Sequence, residues 1–180
     1  MHYTICELIA DLTQNAIEAD AKVISVRVHE TETELSFEIQ DNGKGMDSET
    51  LEKVRNPFYT DGIKHPNRKI GLGIPFLIQT ANQTDGTWHI DSQKAKGTKL
   101  KAVFSLSNID TPPLGCLTSL FRQILSFPQN YEMHIDRIKE TKDDSKNYSI
   151  SRSELIEALG ELETVESLDI LKTFLESHEE

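Results

Sequence analysis

The run Glu7-Leu8-Ile9-Ala10-Asp11-Leu12-Thr13-Gln14-Asn15-Ala16-Ile17-Glu18-Ala19 reads as a helix with two opposed stripes. Ile5, Leu8, Ile9, Leu12 and Ala16 recur at helical spacing and make one apolar face. Glu7, Asp11, Asn15 and Glu18 follow at spacings of four, four and three and line up on the other side. A solvated helix face has no need of an uncharged amide within a row of carboxylates. A magnesium site does, because this hard ion takes a few oxygen ligands and keeps its waters and any phosphates it bridges. Asn15 is therefore the candidate metal ligand.

Two strand-like runs follow, over 23–28 and 35–40, with a turn between them at 30–34. The second alternates apolar and polar residues as a half-buried strand does. It runs into Asp41-Asn42-Gly43-Lys44-Gly45-Met46, where Gly43 and Gly45 let the backbone turn and approach a flat ligand closely. A carboxylate such as Asp41 at a strand end can accept from the exocyclic amine of adenine, a charge-assisted bond worth roughly 1.5–3 kcal/mol net. Asp-Asn-Gly by itself is also a common turn. Its pairing with the striped helix is what favours a ligand site.

With both segments in hand, the chain resembles the GHKL superfamily of ATP-binding domains: DNA gyrase B, MutL-type repair proteins, heat-shock chaperone ATPases and histidine kinases. Residues 11–18 resemble the first motif of that family, with Asn15 at the magnesium-binding asparagine. Residues 41–46 resemble the second, with Asp41 at the adenine-reading aspartate. Gly71-Leu72-Gly73-Ile74 resembles a third and Lys96-Gly97-Thr98 a fourth, all in the family order within residues 4–106. The resemblance implies an α+β fold, a two-layer α/β sandwich of Bergerat type in which helices cover one face of a mixed sheet. It implies ATP and Mg2+ as cofactors, with Asn15, Glu18, Asp41, Gly43, Gly45, Met46, Gly71, Leu72, Gly73 and Thr98 at the nucleotide.

The intervening sequence agrees. Residues 56–69 are polar and punctuated by Pro and Gly, which reads as a loop long enough to be a lid. Lys64, His65, Arg68 and Lys69 make it basic within an acidic chain, so Lys64, Arg68 and Lys69 are candidate phosphate contacts. A solvated loop is the alternative. Gly71-Leu72-Gly73 opens a helix in which Pro75 is tolerable because it falls in the first turn. Amides at that helix start, with the positive dipole end, form an anion site. Strands at 87–91 and 100–106 close the sheet, and Trp88 and Phe104 read as core residues rather than ligand-stacking ones.

Two departures from the family bear on activity. In gyrase- and MutL-like members the water-activating base is a Glu four residues before the magnesium Asn, and here that position holds Asp11, the candidate catalytic residue. Lys69 and Ile70 stand where many relatives carry a further Gly-x. Both weaken the case for fast hydrolysis more than the case for binding. Three classes stay open: a slow ATPase or nucleotide-switched regulator acting on a protein partner, a protein kinase of the histidine-kinase or anti-sigma serine-kinase type, and a non-hydrolysing ATP-binding interaction module. None of the six His residues sits in a phosphoacceptor box, so autophosphorylation is not expected.

Thr111-Pro112-Pro113-Leu114-Gly115 resembles the junction found in a group of stand-alone bacterial histidine-kinase-like ATPases with a short α/β tail. That resemblance implies a partner related to iron-only hydrogenase or NADH dehydrogenase, with a homodimer as a further option. Residues 1–107 are expected as the ATP-binding domain and 108–180 as a small acidic α/β appendage. In the latter, helices are expected at 114–126, 154–159 and 165–174, and strands at 131–138 and 147–150. The charge of −11 is uneven: 15 acidic and 12 basic residues in 1–107, against 15 and 7 in 108–180. So acidic a tail repels nucleic-acid phosphate, and no nucleic-acid partner is expected. No apolar run approaches membrane-spanning length and the motif helix starts at once, so a cytoplasmic protein without membrane or signal segment is expected. Cys6 and Cys116 have no CxxC spacing and read as reduced thiols.

Overall fold

A computed structural model of the chain describes residues 4–55 and 73–179. It contains α1 (Ile5–Glu18), β1 (Val23–Glu30), β2 (Glu34–Asp41), α2 (Ser48–Arg55), α3 (Gly73–Gln83), β3 (Thr87–Gln93), β4 (Gly97–Ser105), α4 (Leu117–Leu125), β5 (Glu132–Glu140), β6 (Ser145–Ser151), α5 (Arg152–Leu159) and α6 (Val165–Glu179). The six strands form one sheet in the order β3-β4-β2-β1-β5-β6. All neighbours are antiparallel except β1 and β5, which run parallel. This is the mixed sheet with helices on one face that the motifs imply.

Period-two alternation decides which face is covered. Ile24, Val26 and Val28 on β1, Leu35, Phe37 and Ile39 on β2, and Leu100, Ala102 and Phe104 on β4 all point into the helix layer and are buried. Phe37 and Phe104 stack there with ring centroids 6.2 Å apart, and Trp88, half-buried, donates to Asn82. The other face is polar. Arg27–Asp136 at 3.2 Å and Lys99–Glu38 at 3.0 Å cross it as ion pairs between strands. Exposed pairs of this kind contribute little to stability; they keep the open face soluble.

The segment after residue 107, expected as an appendage, adds β5 and β6 to the same sheet, so the core runs through the boundary without a break. Its first residues also complete α1. The amides of Ile5 and Cys6 donate to the carbonyls of Pro113 and Leu114 at 2.9 and 2.8 Å. Thr4 and Glu7 close a capping box over the same turn, at 3.2 and 3.1 Å. Together these satisfy the orphan donors that every helix start leaves. Pro113 and Leu114 are used in this way and Cys116 is the N-cap, so α4 begins at Leu117 rather than at the expected 114. Leu117, Leu120, Phe121 and Ile124 give α4 one buried stripe.

The helix α2 was not expected. It has only Leu51 and Val54 as apolar residues and no fully buried one, so its periodic signal is weak. Its start is fixed by Asp47, whose Oδ1 accepts from the Thr50 amide at 2.8 Å; that bond holds the Asp47 carboxyl below its usual range. Cys6 is buried, which pushes its thiol up to about 12, and Cys116 is exposed; both are free thiols. Among the described residues no helix is long and apolar enough to cross a membrane.

α6 runs five residues past its expected end because its last turn covers a charge. Arg137 is 2% exposed on the covered face, beside Val28. Its guanidinium meets Glu30, reaches Glu179 Oε1 at 3.4 Å and donates to the Ile138 carbonyl at 2.9 Å. Tyr148 donates to the same Glu179 oxygen at 2.5 Å, and burial together with that carboxylate keeps the phenol well above its ordinary range. Removing the one cation leaves two carboxylates without a counter-ion in a half-buried site. Arg137→Met should lower the unfolding free energy by about 3–5 kcal/mol in urea denaturation. An unchanged midpoint would mean the cluster is solvated and idle.

Candidate functional site

A cleft opens between α1, the start of α3 and the sheet. Leu12, Ala16, Ile39, Met46, Val54, Ile74 and Leu100 make its walls apolar, and Asn15, Asp41 and Thr98 supply the polar groups. Asn15 reaches the cleft because α1 packs its Leu12–Ala16 side over the sheet and leaves the amide at the rim. Asp41 reaches it because β2 alternates: Leu35, Phe37, Ile39 and Asp41 share the covered face, and Asp41 is the last of them.

Burial pushes the Asp41 carboxyl above its usual range, and the amides of Gly43 and Thr98 partly offset that by favouring the ionised form. The Gly43 amide donates to Asp41 Oδ1 at 2.8 Å. The loop after Asp41 is fixed on both sides. Lys44 donates from its amide to the Ala19 carbonyl at 2.9 Å and accepts from the Ala95 amide at 2.7 Å. Asn42 Oδ1 accepts from the amides of Lys22 and Val23 at 2.8 and 2.9 Å. Asn42 is thus a backbone clamp, while its neighbour Asp41 faces the cleft.

This loop lies against the β3–β4 hairpin so closely that two glycines are obligatory. Gly45 has φ +59, and a Cβ there would fall 2.0 Å from the Gln93 carbonyl oxygen. Gly97 has φ +102, and its Cβ would fall 1.9 Å from the Asp41 carbonyl oxygen. Ser92 completes the corner. Its hydroxyl accepts from the Met46 amide at 2.8 Å, donates to the Gly97 carbonyl at 3.1 Å and lies 2.9 Å from Thr98 Oγ1. A serine in a polar stretch of strand carries no signal that sequence reading could have used.

Asp11 stands one turn before Asn15, against the start of α3. A Cβ on Gly73 would meet its Oδ2 at 2.6 Å and Asn15 Nδ2 at 3.5 Å. The structure therefore brings Asp11, Asn15 and Gly73 together at one end of the cleft, and Asp41, Gly45, Met46 and Thr98 at the other. Gly43 touches Asp41 from outside the cleft. Glu18 is turned away: it is exposed, accepts from Gln14 Nε2 at 2.9 Å and does not line the cleft. Glu7 belongs to the helix cap. Lys64, Arg68, Lys69, Gly71 and Leu72, with the expected lid, lie outside the described residues.

Comparison with known proteins decides the family. Residues 3–108, more than half of the chain, match the histidine kinase-, DNA gyrase B- and HSP90-like ATPases. The chain belongs to that family. Among similar proteins are the sensor histidine kinase YvrG of Bacillus subtilis (29% identical over 100 residues, 54% of this chain and 17% of that one) and sporulation kinase C of the same organism (28% over 104 residues, 57% and 23%). The sensor kinase CckA of Brucella abortus is 34% identical over 89 residues, 49% of this chain and 9% of that protein. The chain spans less than a quarter of the length of these relatives. Among solved structures, the N-terminal domain of a DNA repair protein superposes with a TM-score of 0.51 at 14% identity, covering 83% of this chain and 52% of that one. That likeness is one of fold. Domains of this ATPase family bind ATP, and the cleft holding Asn15, Asp41 and Thr98 lies within the matched segment.

The glycine contacts give a direct test of the corner. Gly45→Ala should destabilise the protein by more than the backbone strain of about 1–3 kcal/mol, because its Cβ also strikes the Gln93 carbonyl. Gly160→Ala is the control: φ is +80, but nothing lies within 4 Å of its Cβ. Equal losses in urea denaturation would show that loop and hairpin are not in contact.

Proposed function

We propose that this chain is a magnesium-dependent ATP-binding protein, a slow ATPase or nucleotide-switched regulator that acts on a protein partner. The observation that carries the reading is the half-buried Asp41 carboxylate at the end of an apolar cleft that also holds Asn15 and Thr98. Apolar walls suit a base, and an acceptor at the end of the cleft suits its exocyclic amine.

A metal fits the other end. Asn15 presents a neutral amide oxygen with Asp11 beside it, a donor set that leaves most positions to phosphate and water, as magnesium prefers. Magnesium bound there would neutralise charge on the phosphates. The chain's own residues do the rest. Asn15 would hold the metal, and the backbone amides at the start of α3 would face the phosphates. Asp11 would take a proton from an attacking water, and its one methylene less reach than Glu favours slow turnover.

The second reading, a protein kinase, is favoured by the relatives, which are named as sensor histidine kinases and sporulation kinases. In that reading the phosphoacceptor belongs to a protein partner. The described His29, His89 and His134 lie on the strands' open face, away from the cleft. A hydrogenase- or NADH-dehydrogenase-related partner rests on the resemblance of the Pro-Pro-Leu-Gly junction. Incubation with labelled ATP and magnesium, with and without partner, separates the readings: free phosphate marks an ATPase, protein-bound label a kinase, and neither a binding module.

Two measurements test the site. Asp41→Asn should weaken ATP binding by roughly 10-fold or more, because one charge-assisted bond is lost. In the parent, affinity should be full while Asp41 is ionised and fall as pH drops through its raised pKa, at higher pH than for an ordinary carboxylate. Equal calorimetric affinity for ATP and GTP would sink the assignment. At the metal end, Asn15→Ala should abolish the magnesium dependence of ATP affinity while the fold melts near its normal temperature. Asp11→Asn should stop turnover and keep ATP bound; a mutant that hydrolyses at the parent's rate removes Asp11 from the chemistry.

A further inference from the structure

We infer that Ser92 is a specificity-determining positioning residue: it locks the Thr98 hydroxyl as a hydrogen-bond acceptor facing the cleft, so that the site selects a 6-amino purine over a 6-oxo purine. The inference rests on the nucleotide reading above and concerns how that site reads its base.

Protons and lone pairs set the direction of these bonds. A serine hydroxyl has one proton and two acceptor positions. One acceptor position of Ser92 is taken by the Met46 amide at 2.8 Å. The Gly97 carbonyl lies 3.1 Å away and can only accept, so the single Ser92 proton goes there. Thr98 Oγ1 is 2.9 Å from Ser92 Oγ, a contact in which either hydroxyl can donate; with the Ser92 proton on the Gly97 carbonyl, the donor is Thr98. Thr98 then has no proton left for the cleft. What it offers there is lone pairs.

The register puts this acceptor where it matters. Ser92 and Thr98 are direct cross-strand partners, and both lie on the covered face with Ile90 and Leu100. Asp41 shares that face on β2, and the Thr98 amide helps to hold its carboxyl. The cleft therefore ends in two acceptors, a carboxylate and a hydroxyl oxygen, with no side-chain donor between them among the described residues that line it. An amino group satisfies both. A carbonyl oxygen in the same place meets acceptors only, and such mismatch is how sites reject a near-isostere.

The test is calorimetric titration of the full chain with magnesium and either ATP or inosine triphosphate, which carries a 6-oxo group in place of the 6-amino group and a proton on N1. Ser92→Ala should lower the ATP-to-inosine-triphosphate affinity ratio roughly 10-fold, because the freed Thr98 proton can serve the 6-oxo group. Ser92→Thr, which keeps the hydroxyl, should retain the parent ratio. Thr98→Val should also lower the ratio, and adding Ser92→Ala to it should change the ratio no further. Were Ser92→Ala to unfold, Ser92→Cys, which keeps the shape of the side chain but is only a weak donor and acceptor, decides by the same ratio. A residue that merely stiffens the corner would weaken both nucleotides together, so a ratio within about twofold of the parent's in Ser92→Ala or Thr98→Val overturns the inference. A parent chain that binds neither nucleotide overturns the nucleotide reading itself.

Discussion

The rest of this molecule depends on one backbone contact, the docking of the loop after β2 onto the β3–β4 hairpin. Gly45 and Gly97 come within reach of opposing carbonyls that no other residue would allow. Because the loop starts at Asp41 and Thr98 follows Gly97 at the start of β4, the same contact that closes this end of the sheet sets two polar groups of the cleft at a fixed separation. Ser92 then ties the loop amide to the hairpin carbonyl through one hydroxyl. In the proposed function, stability and recognition share these atoms.

The opposite end of the cleft is held in a different way. Asp11 and Asn15 are fixed by α1, and the start of α1 is fixed by a segment more than a hundred residues away. The carbonyls of Pro113 and Leu114 take the first helical amides, and β5 lies parallel beside β1. The buried Arg137 between Glu30 and Glu179 joins the last turn of α6 to the same region. Residues 108–180 thus support the helix that carries Asp11 and Asn15. A partner that docked on this segment would have a mechanical route to the cleft.

Much of this was legible in the sequence because its signals are local. The stripes of α1, the alternation of β2 and the Asp-Asn-Gly-Lys-Gly turn each depend on residues within one element, and Asp41, Asn15 and Thr98 line one cleft. What was missed depends on contacts between distant segments. Glu18 continues the spacing of Asp11 and Asn15, but the helix turns it out to Gln14. Ser92 looks like any strand serine until the fold brings Met46 and Gly97 to it. The role of Pro113 and Leu114 as a cap, and the extra turn of α6 over Arg137, are tertiary facts that no window of sequence contains. α2, with two apolar residues, has too little periodicity to announce itself.

The central claim is that the Asp41–Thr98 corner and the Asn15 rim form one nucleotide cleft. Backbone amide NMR of the uniformly labelled chain, titrated with ATP and magnesium, tests it most directly. The account predicts that the amides of Gly43, Met46, Thr98 and Asn15 shift together along one saturation curve, with ADP moving the first three nearly as far. Shifts confined to the separate pocket around Tyr131, Glu132 and Arg152 would contradict it.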